Sequence, residues 1–347
     1  MSDTSPVVDR DRMLRAIDVA SRARHRASPN PWVGVTLVQV DGSIAWGATQ
    51  PPGGNHAEVE ALASAEVTEG AVVYTTLEPC NHQGRTGPCT DALIEAGVAR
   101  VVIGIEDPDP QVAGTGITRL REAGITVDVG VAAEEVERQL RPYLHHRRTG
   151  RPWVVLKLAS TIDGRVAAPD GSSQWITGAE ARADGHRLRA ESDAILVGAG
   201  TVRTDDPSLT VRDWPPPELG IDPAGVRDPR RVVLGSAPEG SKVHPCLEFE
   251  GEIPDLLDQL GAEGVVQLMV EGGPRVAHAF HHPRLVDEYV VYVAPALFAG
   301  SDAAGLFAGA GAMSIEGVWR GHFEDVAKLG EDLRITLLAG RRESVEG

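Results

Sequence analysis

The feature that most constrains this chain is its alternation of strand-patterned and helix-patterned segments, which runs through residues 10–145 and resumes at Pro152. In the first stretch, "RDRMLRAIDVASRAR" carries apolar residues at helical spacing, and "VGVTLVQVDGSIAWG" predicts two strands around an Asp41-Gly42 turn. "HAEVEALASAEV" then predicts a helix, "AVVYTTLEP" a strand, "CTDALIEAG" a helix, "VARVVIGIEDP" a strand, "GITRLREAG" a helix and "ITVDVGV" a strand. Such an order requires a sheet covered by helices, the α/β layered class. The second stretch offers strand candidates in "WVVLKLA", "SDAILVG", "RRVVLG", "GVVQLMVEGG" and "DEYVVYVAP". Between the two lies "YLHHRRTGRP", Tyr143–Pro152, a polar and basic segment that reads as an interdomain connection. At 347 residues the chain has room for two domains, divided at residues 1–148 and 149–347.

Charge and composition narrow the function. A net charge of −17 argues against a nucleic-acid surface, which needs clustered Lys and Arg, but leaves room for a small anionic substrate held by one or two Arg. No run of 18 apolar residues exists, and the acidic "MSDTSPVVDRDRM" lacks the pattern of a signal peptide, so a cytoplasmic protein without membrane partners is expected. Three cysteines in such a compartment argue against a disulfide framework.

Two of those cysteines sit in "TLEPCNHQGRTGPC", and upstream lies "GGNHAEVEAL". Read together they give His56-Ala57-Glu58, then Pro79-Cys80, then Cys89. One His and two Cys are a good ligand set for zinc, and three protein ligands leave the fourth position to water, as in a catalytic site. Glu58, two residues after the His, is placed to carry a proton between water and a leaving amine, the logic of hydrolytic deamination of a heterocycle. Taken singly, His-Ala-Glu at a helix start is ordinary surface charge and a cysteine pair is ordinarily two buried thiols; their combination at strand-to-helix junctions favours the metal. Cys246, without such company in the sequence, reads as structural.

"NPWVGVTLV", "HAEVEAL", "TLEPCNHQGRTGPC" and "ALIEAGVARVVIGIEDPDP" together resemble the bifunctional deaminase/reductase family of riboflavin biosynthesis. The long gap between Cys80 and Cys89 belongs to that resemblance, since most zinc deaminases have two residues there. The resemblance implies a cytidine-deaminase-like three-layer α/β/α domain with one zinc ion, and contacts from Asn30, His82 and Arg85 to the pyrimidine or its ribosyl phosphate. Gly87 departs from the family, which commonly has Pro there.

The second half has no GxGxxG and no Walker loop. "LMVEGGPRVAHAF" reads as a strand, a Gly pair and a helix opened by Pro274, whose first N–H groups can face phosphate. "KLASTIDGRVA", "GSSQWITGAEARADGHRLRAESDAILVGAGTVRTDDPSLTVR" and "MVEGGP" resemble the reductase half of the same family, a dihydrofolate-reductase-like α/β domain using NADPH. By that match Ala159, Trp175, Thr201, Asp205 and Gly272-Gly273-Pro274 lie along NADPH. Ser173, Arg189, Leu209, Arg212 and Glu271 lie along the phosphoribosyl pyrimidine, and Lys157 orients substrate or cofactor. Ser236 is a further cofactor contact, in "RVVLGSAPEG", just before a segment, "SKVHPCLEFEGEIP", that is short for the family. A homo-oligomer, dimer or tetramer, is also expected from the resemblance. Two rivals stand: a cytosine or adenine deaminase fused to an unrelated reductase, disfavoured by the absence of basic patches, and a structural zinc module, which would need a fourth protein ligand.

Overall fold

The strands pair into a five-stranded sheet, an eight-stranded sheet and a small two-stranded one in the computed structural model, which describes residues 5–83 and 87–340. The chain divides into a first unit, residues 1–150 with 217–225, and a second, residues 151–216 with 226–347. No described helix is long and apolar enough to cross a membrane.

The first unit runs α1 (Pro6–Ser21), α2 (Arg24–Ala27), β1 (Gly34–Val38), β2 (Ile44–Ala48), α3 (Ala57–Ser64), β3 (Val72–Leu77), α4 (Cys89–Glu95), β4 (Arg100–Ile105), α5 (Thr115–Glu122), β5 (Thr126–Val129) and α6 (Ala133–Thr149). Its five strands lie in the order β2-β1-β3-β4-β5, with β1 antiparallel to both neighbours and β3, β4 and β5 parallel. Every residue of β1 and β3 is buried, as expected of central strands covered on both faces. Close helix approach explains two glycines. A Cβ on Gly34 would lie 2.0 Å from the Ala16 carbonyl oxygen of α1, and one on Gly47 would lie 2.0 Å from that of Ala57 in α3. Gly47 pairs with Val35, the neighbour of Gly34, and successive residues of a strand face opposite ways, so α1 and α3 cover opposite faces. With α6 beside α1, and α4 and α5 following α3, the three layers are complete.

The one correction here concerns the predicted linker. Tyr143–Thr149 makes up the last seven of the 17 residues of α6, with Tyr143, Leu144 and His146 buried, and the helix ends at Gly150 in a left-handed cap. Its charges (Arg141, Arg147, Arg148) mimic a solvated linker, while the apolar stripe Val136, Leu140, Tyr143, Leu144 supplies the packing face.

The second unit runs β6 (Trp153–Thr161), β7 (Arg165–Ala167), α7 (Ala179–Ala190), β8 (Ala194–Gly198), α8 (Ala199–Asp205), β9 (Arg230–Leu234), β10 (Leu247–Phe249), α9 (Ile253–Ala262), β11 (Gln267–Val270), α10 (Pro274–His281), β12 (Glu288–Ala294), β13 (Ala304–Gly305), β14 (Gly321–Leu329) and β15 (Asp332–Ala339). Eight strands form one sheet, β10-β9-β8-β11-β6-β12-β15-β14, parallel from β10 to β12 and closed by the antiparallel pair β15 and β14. The five predicted strands are β6, β8, β9, β11 and β12. The unpredicted β14 is a largely exposed edge on which Phe323 and Val326 face solvent. Cores lie on both faces, one around Leu156, Leu196, Leu268 and Phe280, the other around Ile195, Val197, Met269 and Tyr292.

Candidate active sites

In the first unit the parallel strands β3 and β4 end side by side, and the chemistry gathers at their carboxyl ends. His56 is the N-cap of α3, Cys80 follows β3 by three residues, and Cys89 opens α4. His56 Nδ1 lies 3.5 Å from Cys80 Sγ and 3.3 Å from Cys89 Sγ. Tetrahedral zinc with ordinary bond lengths separates a nitrogen and a sulfur ligand by about 3.6 Å, so the donor set fits the ion. The Cys89 thiol and the His56 ring beside Cys80 hold its thiol well below the usual range despite burial, toward the thiolate a metal needs. The Cys89 backbone N–H also points at Cys80 Sγ, at 3.5 Å. Glu58 sits in the first turn of α3 and is 4% exposed; burial, with the Cys80 thiolate adding to it, raises its carboxyl to about 7.

A cavity of about 400 Å³ opens on these residues. Asn30 and His82 line it with His56, Glu58 and Cys80; Arg85 lies outside the described residues. Sequence reasoning left unassigned a second wall made of Asp107, Asp109, Tyr143 and Arg147. The Tyr143 hydroxyl donates to Asp107 at 3.1 Å, and burial raises the Asp107 carboxyl to about 6. Arg147 lies 3.4 Å from Asp109, with its guanidinium 5.0 Å from the centre of the Tyr143 ring. The available signal was Asp-Pro-Asp-Pro directly after a strand parallel to the one that delivers Cys80.

Beneath this wall, Glu78 is 3% exposed and its carboxylate accepts four backbone N–H groups: Gly116 at 2.9 Å, Gly114 at 3.0 Å, Ile117 at 3.2 Å and Asp107 at 3.3 Å. It therefore ties the end of β3, two residues from Cys80, to the Asp107 loop and to the positive end of α5.

In the second unit, β6 and β11 pair so that Leu156 meets Val270, which sets Lys157 beside Glu271. Lys157 Nζ reaches Glu271 at 3.3 Å, and Arg189 donates to its other oxygen from Nε at 3.0 Å and Nη2 at 2.8 Å. Burial opposes ionisation of Glu271, but Lys157 and Arg189 outweigh it and hold the carboxyl at about 2. Both of its oxygens are thus engaged by protein. Arg189 also donates to the Thr210 carbonyl at 3.1 Å, which joins it to the segment carrying Leu209 and Arg212. Leu209 is buried in the core with a left-handed backbone, whereas Arg212 is exposed and donates to Ser208 Oγ at 3.3 Å. Gly272-Gly273-Pro274 form the turn from β11 into α10, and a Cβ on Gly273 would meet nothing within 4 Å, which leaves that backbone open to a ligand. Thr201 and Asp205 lie on α8, Asp205 exposed, and Ala159 is half-buried on β6. Ser173 is exposed, and Trp175 is exposed beneath the Arg182 guanidinium, 4.7 Å from its ring. Ser236 is exposed and donates to Glu250 at 2.7 Å.

Comparison with known proteins agrees with both halves. Residues 7–105 match the family model of the cytidine and deoxycytidylate deaminase zinc-binding region, and residues 152–335 match that of the RibD C-terminal domain. The riboflavin biosynthesis protein RibD of Escherichia coli K12 is 40% identical over 360 residues, covering 94% of this chain and 98% of that protein. Acinetobacter baumannii RibD, form 1, superposes with a TM-score of 0.90 at 35% identity, covering 97% of this chain and 100% of that one. A diaminohydroxyphosphoribosylaminopyrimidine deaminase/5-amino-6-(5-phosphoribosylamino)uracil reductase from Thermotoga maritima superposes with a TM-score of 0.84 at 30% identity, covering 96% and 99%. Likeness of this extent spans both catalytic halves, and the chain belongs to the RibD family of riboflavin biosynthesis, in which a zinc-binding deaminase and an NADPH-dependent reductase share one polypeptide.

Proposed function

We propose that this chain catalyses two successive steps: hydrolytic deamination of 2,5-diamino-6-(5-phosphoribosylamino)pyrimidin-4-one, then reduction of the ribosyl group of 5-amino-6-(5-phosphoribosylamino)uracil to ribityl. Residues 1–148 carry the first step and residues 149–347 the second. The observation that carries the reading is the convergence of His56, Cys80 and Cys89, with buried Glu58 beside them, on one cavity.

His56, Cys80 and Cys89 are the residues that hold zinc, whose contribution is Lewis acidity and a more acidic water. Glu58 takes a proton from the attacking water and returns one to the amine, so that water adds at C2 of the ring and ammonia leaves. Asn30 and His82, which line the cavity, contact the pyrimidine or its ribosyl phosphate. Arg85 joins them in contacting the pyrimidine or its ribosyl phosphate, and Arg147 is the one Lys or Arg among the described residues lining the cavity, so it balances the Asp107 and Asp109 carboxylates near an anionic substrate.

In the second step NADPH supplies the hydride. Ala159, Trp175, Thr201, Asp205, Ser236 and the Gly272-Gly273-Pro274 turn hold it, the turn offering open backbone at a helix start. Ser173, Arg189, Leu209, Arg212 and Glu271 hold the phosphoribosyl pyrimidine. Lys157 and Arg189, fixed on Glu271, present preset cations to the opened ribose. Hydride transfer asks for position rather than a nucleophile, and a cluster locked by ion pairs provides it.

The chain works in the cytoplasm, in keeping with its three free cysteines, and as a homo-oligomer, dimer or tetramer. Light scattering of the purified chain checks the assembly. The catalytic test supplies the diaminopyrimidine phosphate with and without NADPH, following ammonia and nicotinamide absorbance. Ammonia must appear without NADPH, and NADPH must be consumed only after deamination; NADPH oxidation that precedes ammonia release overturns the order.

A further inference from the structure

Cys246 does not stand alone in space as it does in sequence. Cys246 immediately precedes β10, Glu248 lies on it and His244 follows the turn before it, and the three side chains come together while Leu247 and Phe249 pack into one core and Cys246 is half-buried against the other. His244 Nδ1 lies 3.5 Å from Cys246 Sγ, the same separation as between His56 and Cys80. One donor atom from each of the three residues lies within 4.8 Å of the others.

The surroundings match those of a metal ligand set. His244 Nε2 lies 3.2 Å from the Pro238 carbonyl oxygen, which can only accept, so Nε2 carries the hydrogen and Nδ1 presents its lone pair toward the thiol and carboxylate. A ligating His is ordinarily oriented in this way, by donating its other N–H to a carbonyl. Glu248 Oε1 accepts the Ala237 backbone N–H at 3.3 Å, and Arg231 braces the segment by donating to the His244 carbonyl at 3.2 Å. A thiol and a carboxylate brought together repel once both are ionised, and a divalent cation between them turns that repulsion into attraction.

We propose that His244, Cys246 and Glu248 form a second metal site, on the reductase unit, that takes a zinc-class divalent cation with water completing the coordination. Nitrogen, sulfur and oxygen from three such residues suit borderline ions such as zinc and cobalt(II) rather than magnesium or calcium, which prefer oxygen alone. Because the supporting hydrogen bonds come from Ala237 and Pro238, the ion fastens the β9–β10 loop to β10. Ser236, the expected cofactor contact, lies in that loop, so occupancy stiffens the backbone on which it sits.

The test uses the full-length protein equilibrated with zinc chloride and then freed of loose metal on a desalting column. Metal analysis is expected to give about two zinc ions per chain in the wild type and about one in both Cys246→Ser and His244→Ala, with ammonia release unchanged in all three. Cobalt(II) supplies an independent readout. The thiolate-to-cobalt absorbance in the near ultraviolet should fall by roughly a third in Cys246→Ser, because one of three ligating thiolates is lost. The site is overturned if the wild type holds a single zinc, or if Cys246→Ser and His244→Ala keep the second ion, which would make it an adventitious surface ion. Equal melting of the reductase unit in the three proteins after metal has been stripped with a chelator shows that the variants are folded.

Discussion

Glu58 and Glu271 are both largely withdrawn from water, yet their neighbours push them in opposite directions. Glu58 has burial and an adjacent thiolate against it, so its proton is loosely balanced near neutrality, as a carrier requires. Replacing it with Gln keeps the shape and removes the base. Ammonia release in Glu58→Gln should fall by ~10²–10⁴-fold, while zinc content and NADPH oxidation with the deaminated substrate stay at wild-type levels. Unchanged ammonia release would remove Glu58 from the mechanism. Glu271 is held ionised by two cations, so its folded-state pKa lies below its unfolded one. Its contribution to stability is therefore complete above pH ~4.5 and is lost as pH falls toward ~2. Urea unfolding should show wild type exceeding Glu271→Gln by on the order of 3 kcal/mol at pH 6, with the gap closing progressively as pH falls from about 4.5 toward about 2. A gap independent of pH would mean that packing, not charge, is what Glu271 contributes. The metal residues were legible in the sequence because zinc selects a narrow set of donors. Asp107, Asp109 and Arg147 were not, because acidic and basic side chains after a strand or late in a helix are ordinarily solvent-facing, and only the neighbouring parallel strand turns them into a cavity wall.

At the level of elements, the predicted strands emerged wherever both faces of the sheet are covered, since burial on two sides leaves an unbroken apolar run such as "AILVG". The failures have the opposite character. β14 is mostly exposed, and its charges interrupt any apolar run, so pairing with β15 rather than its own composition makes it a strand. The last turns of α6 hid behind Arg and His in the same way. Glu78 shows how one side chain organises several elements. With four backbone N–H groups converging on it, Glu78→Ala strands donors in a buried place, each worth ~1–3 kcal/mol. We expect a loss of at least ~3 kcal/mol in chemical denaturation, partly relieved if water enters, together with a raised KM for deamination as the Asp107 loop loosens. A KM equal to wild type would confine Glu78 to a structural role.

The molecule as a whole contains two units, each with its own sheet and its own buried core, which predicts two unfolding transitions rather than one. In a Cys246→Ser background, a chelator should lower only the transition of the deaminase unit, by on the order of 4 kcal/mol if zinc is bound a thousandfold above its dissociation constant. Calorimetry with and without chelator reads this directly; a single transition that moves as one would show that the units unfold together. Strand order also has a consequence for how the protein is made. The deaminase sheet uses strands that all lie within Gly34–Val129 and can pair soon after they leave the ribosome. In the reductase sheet, β6 is the first strand synthesised, yet it sits between β11 and β12. About a hundred residues separate its end at Thr161 from Gln267, the start of β11, so at roughly 5–20 residues per second an apolar strand waits some 5–20 s for its neighbours. During translation, then, the second half of the nascent chain is the part that depends on chaperones, and slowing synthesis between residues 161 and 267 should lower the yield of reductase activity more than that of deaminase activity.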